Sequence, residues 1–146
     1  MLGYAPANAW FELLNSDVVR KYLVRHPQFT DATFHEWLEG KIAVDQTPGC
    51  RLREVHCDGK LGGWCGVQLE SGEFEMALVL SPTCWGRGQE IVKEIIEWAR
   101  ELGHKQLHAH LPQSRPQTKA LNKLFGPPVG VSHINGDVFS TYRIEI

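Results

Sequence analysis

The sequence Leu80-Ser81-Pro82-Thr83-Cys84-Trp85-Gly86-Arg87-Gly88-Gln89 joins two segments of different periodicity. Before it, residues 74–80 form an apolar run that is typical of a β-strand. After it, apolar residues recur every three or four positions over residues 91–102, with charged residues between them, which predicts an amphipathic helix. The stretch is therefore predicted to be a short, glycine-containing turn from a strand into a helix.

Such a turn has a chemical use at the start of its helix. The first N–H groups of a helix lack partners within it, and the helix dipole makes this end positive. Gly86 and Gly88 allow a ligand to approach the backbone closely, and Arg87 adds a charged donor. Phosphate or pyrophosphate is the group that these features suit. From two glycines alone, a turn that binds nothing is an equally good interpretation.

Composition favours one ordinary globular domain over residues 1–146. The chain has 42% hydrophobic residues and a formal net charge of −2, which gives no broad basic field for nucleic acid. No apolar stretch is long enough to span a membrane, and the N-terminus lacks the pattern of a secretory signal. The four cysteines have no C-x-x-C spacing, so we interpret them as free thiols and expect a cytoplasmic protein.

Turn signals divide the rest of the chain into alternating elements. Asp58-Gly59 and Asn135-Gly136 are hairpin signals, and Gly103 is a good end for the helix after the central turn. Glycines at 62, 63 and 66 indicate a bulge or a close backbone approach. The predicted order is strand 9–14, helix 15–26, helix 30–46, strands 51–57, 61–69 and 74–80, helix 89–102, strand 106–111, helix 115–125 and two strands within 129–146.

The central stretch resembles the acetyl-coenzyme A loop of the GNAT acetyltransferase superfamily. In that family a strand ending in V-x-P is followed by R/Q-x-x-G-x-G/A at the start of a helix. Leu80, Pro82 and Trp85-Gly86-Arg87-Gly88 stand at these positions, and the form is most similar to the branch of ribosomal-protein N-terminal acetyltransferases. The order of elements is also similar, so the resemblance covers nearly the whole chain. It implies an α/β fold with a mixed, mostly antiparallel sheet, helices on both faces, and a splay between strands 74–80 and 106–111.

The resemblance implies acetyl-coenzyme A as cosubstrate and no metal. Backbone N–H groups of the loop would hold the pyrophosphate, and the end of the preceding strand would pair with the pantetheine arm. Glu90 departs from the pattern, because glycine or alanine is usual there. The residues implied in cofactor binding are Val79, Leu80, Trp85, Gly86, Arg87, Gly88, Gln89 and Arg115.

The chemistry implied by the resemblance is attack of a neutral amine on the thioester carbonyl in a ternary complex. The amine must first lose a proton to a base. Glu75 is the first candidate for this base and Glu73 is the second. Alternation along the strand puts Glu75 on the face opposite to Phe74 and Met76. A solvent-exposed glutamate at a strand start is an equally good interpretation of Glu75.

The acid that protonates the departing thiolate is a separate question. The family's second motif falls over residues 115–127, and Asn122 stands where a tyrosine often serves as this acid. Asparagine donates a hydrogen bond but cannot supply a proton. Tyr142, on the last predicted strand, is the alternative acid. A metal site formed by His108 and His110 with His56 or Cys57 is a weaker interpretation, because histidines at i and i+2 are common on half-exposed strands.

Two functions follow from these patterns. The leading hypothesis is an acetyl-coenzyme A-dependent N-acetyltransferase that acts, as a monomer or homodimer, on a primary amine of a small molecule, a protein N-terminus or a lysine. The alternative is a domain of the same fold that has lost catalysis and serves as an acyl-coenzyme A sensor or a protein-interaction module. Glu90, Arg115 and Asn122 favour the alternative. No motif identifies the acceptor.

Overall fold

The fold is a mixed β-sheet with helices packed against both of its faces. The computed structural model describes residues 5–16, 29–112, 125–134 and 136–146. Among these residues the strands are β1 (Arg51–Cys57), β2 (Lys60–Glu70), β3 (Glu73–Leu80), β4 (Gln106–Pro112), β5 (Gly130–Ile134) and β6 (Asp137–Glu145). They form one sheet in the order β1-β2-β3-β4-β6-β5. Every neighbouring pair is antiparallel except β3 and β4, which are parallel.

The helices divide between the two faces of the sheet. Those within the described residues are α1 (Ala7–Asn15), α2 (Asp31–Asp45) and α3 (Gly88–Glu101), and a 3-10 helix spans Pro82–Arg87. One core lies between α3 and the sheet, and a second core lies under α1 and α2 on the other face. The predicted mixed sheet with helices on both faces is confirmed. No helix in the described part of the chain is long and apolar enough to cross a membrane.

Alternation along β3 decides which side chains reach each face. Met76, Leu78 and Leu80 join the core under α3, whereas Ala77 and Val79 join the aromatic core under α1 and α2. The predicted alternation is thus confirmed. Glu75 shares the second face, because it is two residues before Ala77. This face contains three tryptophans with ring centroids 5.1–5.9 Å apart: Trp10, Trp37 and Trp64.

The predicted first strand over residues 9–14 is wrong, because this segment belongs to helix α1. Trp10, Leu13 and Leu14 are buried at helical spacing, so one side of the helix packs on the sheet. The Trp10 indole N–H also donates to Glu54 of β1 at 3.1 Å. Six mostly apolar residues are too few to distinguish the two periods, and contact with the sheet selected the helix.

Most other predicted elements are confirmed within a residue or two. Thr30 caps α2 by accepting from the backbone N–H of Thr33, and Gly103 ends α3 with a φ of +89°. The predicted turn before α3 contains the 3-10 helix, which the sequence did not indicate. The predicted helices 15–26 and 115–125 fall mainly on residues 17–28 and 113–124, which lie outside the described residues.

Two glycines of β2 are placed where the backbone of a neighbouring strand comes very close. A Cβ on Gly63 would lie 1.8 Å from the carbonyl oxygen of Val79, and one on Gly66 would lie 1.8 Å from that of Arg51. Both glycines have positive φ, at +153° and +144°. The predicted close approach is confirmed at these two positions, because only glycine lacks the atom that would collide.

Candidate active site

Strand β3 separates from β4 toward its end. The two parallel strands pair in register at Glu75 and His108, and within the described residues no later pair of theirs is in register. The end of β3 near Leu80 instead stays paired to β2, opposite Gly63. This geometry agrees with the splay expected from the resemblance, and it leaves one edge of β3 open beside the loop.

The loop after β3 is fixed by hydrogen bonds to the sheet. The backbone N–H of Ser81 donates to the carbonyl of Gly62 at 2.7 Å, and that of Cys84 donates to Ser81 at 2.9 Å. The half-buried Trp85 turns its indole N–H back to the carbonyl of Leu80 at 3.1 Å. The loop is therefore held in one conformation at the mouth of the splay.

The start of α3 has the features of an anion site. No side chain caps this helix at Arg87, so no side-chain acceptor occupies the positive end of the helix at its N-cap. A Cβ added at Gly86 or Gly88 would meet nothing within 4 Å, and neither glycine has a positive φ. The fold therefore does not require glycine at either position. A bound pyrophosphate would fit here, because the backbone is uncovered, Arg87 is exposed and the space above both glycines is open.

The expectation of four free cysteines is wrong for two of them. Cys57, at the end of β1, forms a disulfide with Cys84 of the 3-10 helix, and both side chains are buried. The two residues are 27 positions apart, but the return of the chain along β2 and β3 brings their Cα atoms to 5.9 Å. Cys50 and Cys65 are free and buried. Burial raises the pKa of the Cys50 thiol and raises that of Cys65 to about 12.

Thiol alkylation tests this arrangement. We expect the native protein to react slowly with iodoacetamide, because the two free thiols are buried and their raised pKa values disfavour the reactive thiolate. Unfolding without reductant should expose Cys50 and Cys65 only, and unfolding with reductant should expose all four cysteines. Mass spectrometry counts the adducts. Four adducts in the absence of reductant would show that the disulfide does not form.

Glu75 lies at the centre of a polar group on the face of α1 and α2. Its side chain is 16% exposed. Gln68, directly opposite on β2, donates to Glu75 Oε1 at 2.7 Å. His110 of β4 places Nε2 at 3.5 Å from Glu75 Oε2. Both carboxylate oxygens therefore have a neighbour, and the side chain has a defined orientation beside the splay.

Helix α2 contributes a cation to the same group. Lys41 donates to the side-chain oxygen of Gln68 at 2.9 Å, which leaves the amide nitrogen of Gln68 to face Glu75. Burial lowers the pKa of Lys41, whereas the nearby carboxylates of Glu70 and Glu75 act in the opposite direction. Neither Gln68 nor Lys41 stands in a motif that marks it as functional from sequence. The hairpin signal between β2 and β3 contained the register that places Gln68 opposite Glu75.

The structure separates the other candidate residues from Glu75. Glu73 is 64% exposed, and its nearest described partner is His108 at 3.9 Å. Tyr142 is buried in the core under α3, on the opposite face of the sheet, where its ring lies 5.5 Å from that of Phe125. Arg115 and Asn122 lie outside the described residues, so their roles remain predictions. Val79 is half-buried, Leu80 is buried and Gln89 is exposed.

The alternative metal site does not assemble. His56 lies on β1, which β2 and β3 separate from the histidines of β4, and Cys57 is in the disulfide. Within residues 5–16, 29–112, 125–134 and 136–146, no three His, Cys, Asp or Glu side chains are grouped to hold a metal ion.

Comparison with protein-family models identifies the class of protein. The acetyltransferase (GNAT) domain model matches residues 4–123. The chain therefore belongs to the GNAT acetyltransferase family, and the family membership predicted from the loop sequence is confirmed. Membership implies acyl transfer from acetyl-coenzyme A. No curated protein sequence matches the chain.

Solved structures with the same fold support this assignment. The ribosomal-protein-alanine N-acetyltransferase from Brucella melitensis has a TM-score of 0.72 and 18% identity, with 96% of this chain and 94% of that chain covered. An N-acetyltransferase from Staphylococcus aureus Mu50 has a TM-score of 0.72 and 15% identity, covering 97% and 94%. A ribosomal L7/L12 alpha-N-protein acetyltransferase has a TM-score of 0.68 and 15% identity, covering 97% and 84%. At these identities the similarity is one of fold.

Proposed function

We propose that this protein is an N-acetyltransferase that moves an acetyl group from acetyl-coenzyme A to a primary amine within a ternary complex. One observation carries the proposal: β3 bears Glu75 on one face and ends at the loop that opens α3. A single rigid strand therefore fixes the distance between a carboxylate and an anion-binding helix start. The group that takes a proton from the amine and the group that holds the cosubstrate would thus keep a fixed separation.

The residues at the start of α3 fit acetyl-coenzyme A. In this proposal the N–H groups from Gly86 to Gln89 bind the pyrophosphate, Arg87 adds charge, and the open edge of β3 at Val79 and Leu80 pairs with the pantetheine arm. Acetyl-coenzyme A supplies an activated acyl group. Glu90 is exposed in the first turn of α3, and a carboxylate there suits the helix dipole when it points to solvent.

Glu75 is the proposed general base. It is largely buried, Gln68 donates to one of its oxygens, His110 lies beside the other, and it faces the side of the sheet covered by α1 and α2. Glu73 is much more exposed, which makes its carboxylate less constrained. The folded protein already holds this base in one orientation. It therefore loses little conformational entropy when it takes the ammonium proton, which lowers the barrier to proton transfer.

The acceptor class is proposed from the names of two structural neighbours. Two proteins of the same fold carry names that specify ribosomal-protein or N-terminal acetylation. We therefore propose a first screen with peptides that begin with alanine, alongside lysine derivatives and small primary amines. Release of coenzyme A and mass of the acetylated product are the two readouts.

Gly88→Ala tests the cofactor loop and separates stability from binding. Alanine should stabilise the protein by about 0.5–1 kcal/mol, because Gly88 has helical dihedrals, at φ −56° and ψ −42°, and a Cβ would meet nothing within 4 Å. The same methyl group should weaken acetyl-coenzyme A binding about tenfold or more by blocking the backbone. Thermal unfolding and calorimetric titration measure the two effects.

Gly40→Ala is the matched control. Gly40 lies inside α2, and a Cβ there would also meet nothing within 4 Å, so it should stabilise similarly without changing cofactor affinity. For the wild type, acetyl-coenzyme A at a hundredfold excess over Kd should add about 2.7 kcal/mol of stability. No stabilisation at millimolar ligand would reject the proposed cosubstrate. Binding without transfer to any amine would favour the acyl-coenzyme A sensor.

A further inference from the structure

A row of polar side chains crosses the sheet on the face covered by α1 and α2. Beginning at α2, it runs through one residue from each of five neighbouring strands, β2, β3, β4, β6 and β5. Its members are Lys41, Gln68, Glu75, His110, Thr141 and Ser132. The successive contacts are 2.9, 2.7, 3.5, 3.0 and 2.9 Å. We call this row the cross-sheet chain.

The strand registers explain why the cross-sheet chain is continuous. Gln68 lies directly opposite Glu75, and His110 lies directly opposite Thr141. The other steps are diagonal: Glu75 pairs with His108 and reaches His110 two residues further along, and Thr141 pairs with Gly130 and reaches Ser132. Side chains on adjacent strands contact one another at both of these spacings when they share a face.

Thr141 and Ser132, in the far half of the cross-sheet chain, offer the imidazole a partner that can set its tautomer. Thr141 contacts both His110 Nδ1, at 3.0 Å, and Ser132 Oγ, at 2.9 Å. When His110 donates its Nδ1 proton to Thr141 Oγ1, Nε2 carries the lone pair and faces Glu75. Thr141 is then free to donate its own hydroxyl proton to Ser132. In this arrangement one nitrogen is committed to Thr141 and the other can accept a proton.

On the basis of the proposed function, we infer that His110 receives the proton that Glu75 removes from the amine, with Thr141 and Ser132 fixing its tautomer. The proton first moves from the ammonium nitrogen to Glu75 Oε2, which leaves a neutral amine. It then moves to His110 Nε2, which restores the carboxylate and leaves an imidazolium that still donates to Thr141. The His110 side chain is 24% exposed, so the imidazolium returns the proton to water.

The two halves of the cross-sheet chain have different tasks. Gln68, which accepts from Lys41, donates to Oε1 of Glu75, and His110 faces Oε2, so the two oxygens of the carboxylate have different neighbours. Other charged or titratable groups on this face include Glu54 on β1, Glu70 on β2, Glu73 on β3, His108 on β4, and Arg143 and Glu145 on β6. None of them contacts His110 within salt-bridge distance among the described residues; the 3.9 Å contact of Glu73 is with His108.

The experiment measures kcat and KM for acetyl-coenzyme A with the best amine of the screen. His110→Gln and Thr141→Val should each lower kcat about 10- to 100-fold, less than the loss expected for a direct proton-transfer group. KM for acetyl-coenzyme A should change less than about twofold, because the start of α3 is untouched. Thr141→Ser keeps the hydroxyl and should retain most of kcat. His133→Gln is the histidine control, since His133 is exposed on β5 beside Ser132.

Chemical rescue separates proton acceptance from a structural role. Added imidazole should restore part of kcat to His110→Ala in proportion to the concentration of its free base, at constant pH and ionic strength.

A kcat equal to that of the wild type in both His110→Gln and Thr141→Val would overturn the inference, as would an equal loss of kcat in Thr141→Ser and Thr141→Val. If the wild type acetylates no amine, the proposed function itself has failed. If Glu75→Gln is inactive while the His110 variants are unchanged, only the inference has failed.

Discussion

Glu75→Gln should lower kcat by about 100- to 10,000-fold while leaving acetyl-coenzyme A binding nearly unchanged. Glutamine has almost the same shape and keeps an acceptor for the Gln68 amide, which lies 2.7 Å from Oε1. It cannot take up a proton from an ammonium group. The fall in kcat therefore measures the loss of proton acceptance and not a change in packing. Initial-rate kinetics with the best amine of the screen, and thermal shift with acetyl-coenzyme A, measure the two properties separately.

Glu73→Gln discriminates between the two candidate bases. Glu73 lies two residues earlier on the same face of β3, but it is 64% exposed and stands 3.9 Å from His108. We expect this variant to lose less than about threefold in kcat, since an exposed side chain without fixed partners contributes little to an ordered site. If Glu73→Gln is inactive and Glu75→Gln is active, the role of base belongs to Glu73 and the proposed assignment is wrong.

Gly63→Ala should destabilise the protein by about 3 kcal/mol or more, with a fall in Tm of about 6–12 °C. The added methyl group would lie 1.8 Å from the carbonyl oxygen of Val79, and this neighbour is backbone that cannot rotate away. Gly63 also has a φ of +153°, which alanine rarely adopts. Strands β2 and β3 must therefore separate at the point where Leu80 begins the loop. Urea unfolding measures the change in free energy.

Gly72→Ala is the matched control for this prediction. Gly72 lies in the turn between β2 and β3 with a φ of +81°, and a Cβ there would meet nothing within 4 Å. Its substitution should cost about 1–2 kcal/mol, from backbone strain alone. The difference between the two variants isolates the collision with Val79. Equal losses would mean that the strands do not approach as closely as the structure has them.

The sequence predicted local structure well wherever a period was long or a turn was distinctive. The three consecutive strands, α3 and the hairpin around residues 135–136 could be assigned because each contains a repeated pattern or a strong turn signal. The helix α1 could not be assigned, because its short apolar run fits either period and its contact with the sheet decides the outcome. The 3-10 helix before α3 was missed for a similar reason, since its single glycine and its proline fit any tight turn.

The candidate site divides in the same way. The loop from Leu80 to Gln89 was proposed from sequence because the function proposed for it depends on consecutive backbone groups, which a local motif records. His110 was not identified as a neighbour of Glu75, because strand pairing brings it from another part of the chain, whereas the short turn between β2 and β3 could have indicated Gln68. The Cys57–Cys84 disulfide is a further case, since a spacing of 27 residues gives no sign of proximity.

The sequence alone determined the family, the loop proposed to bind the cosubstrate and the face of β3 on which Glu75 lies, because these depend on local spacing and alternation. Tertiary structure decided what surrounds Glu75. The packing of α2 placed Lys41, and strand order and register placed Gln68, on one side of its carboxylate and His110, Thr141 and Ser132 on the other. The pairing of β2 with β3 follows from the short turn between them, but the places of β4, β6 and β5 beside β3 depend on the packing of the whole sheet, and no single segment of the chain contains that information.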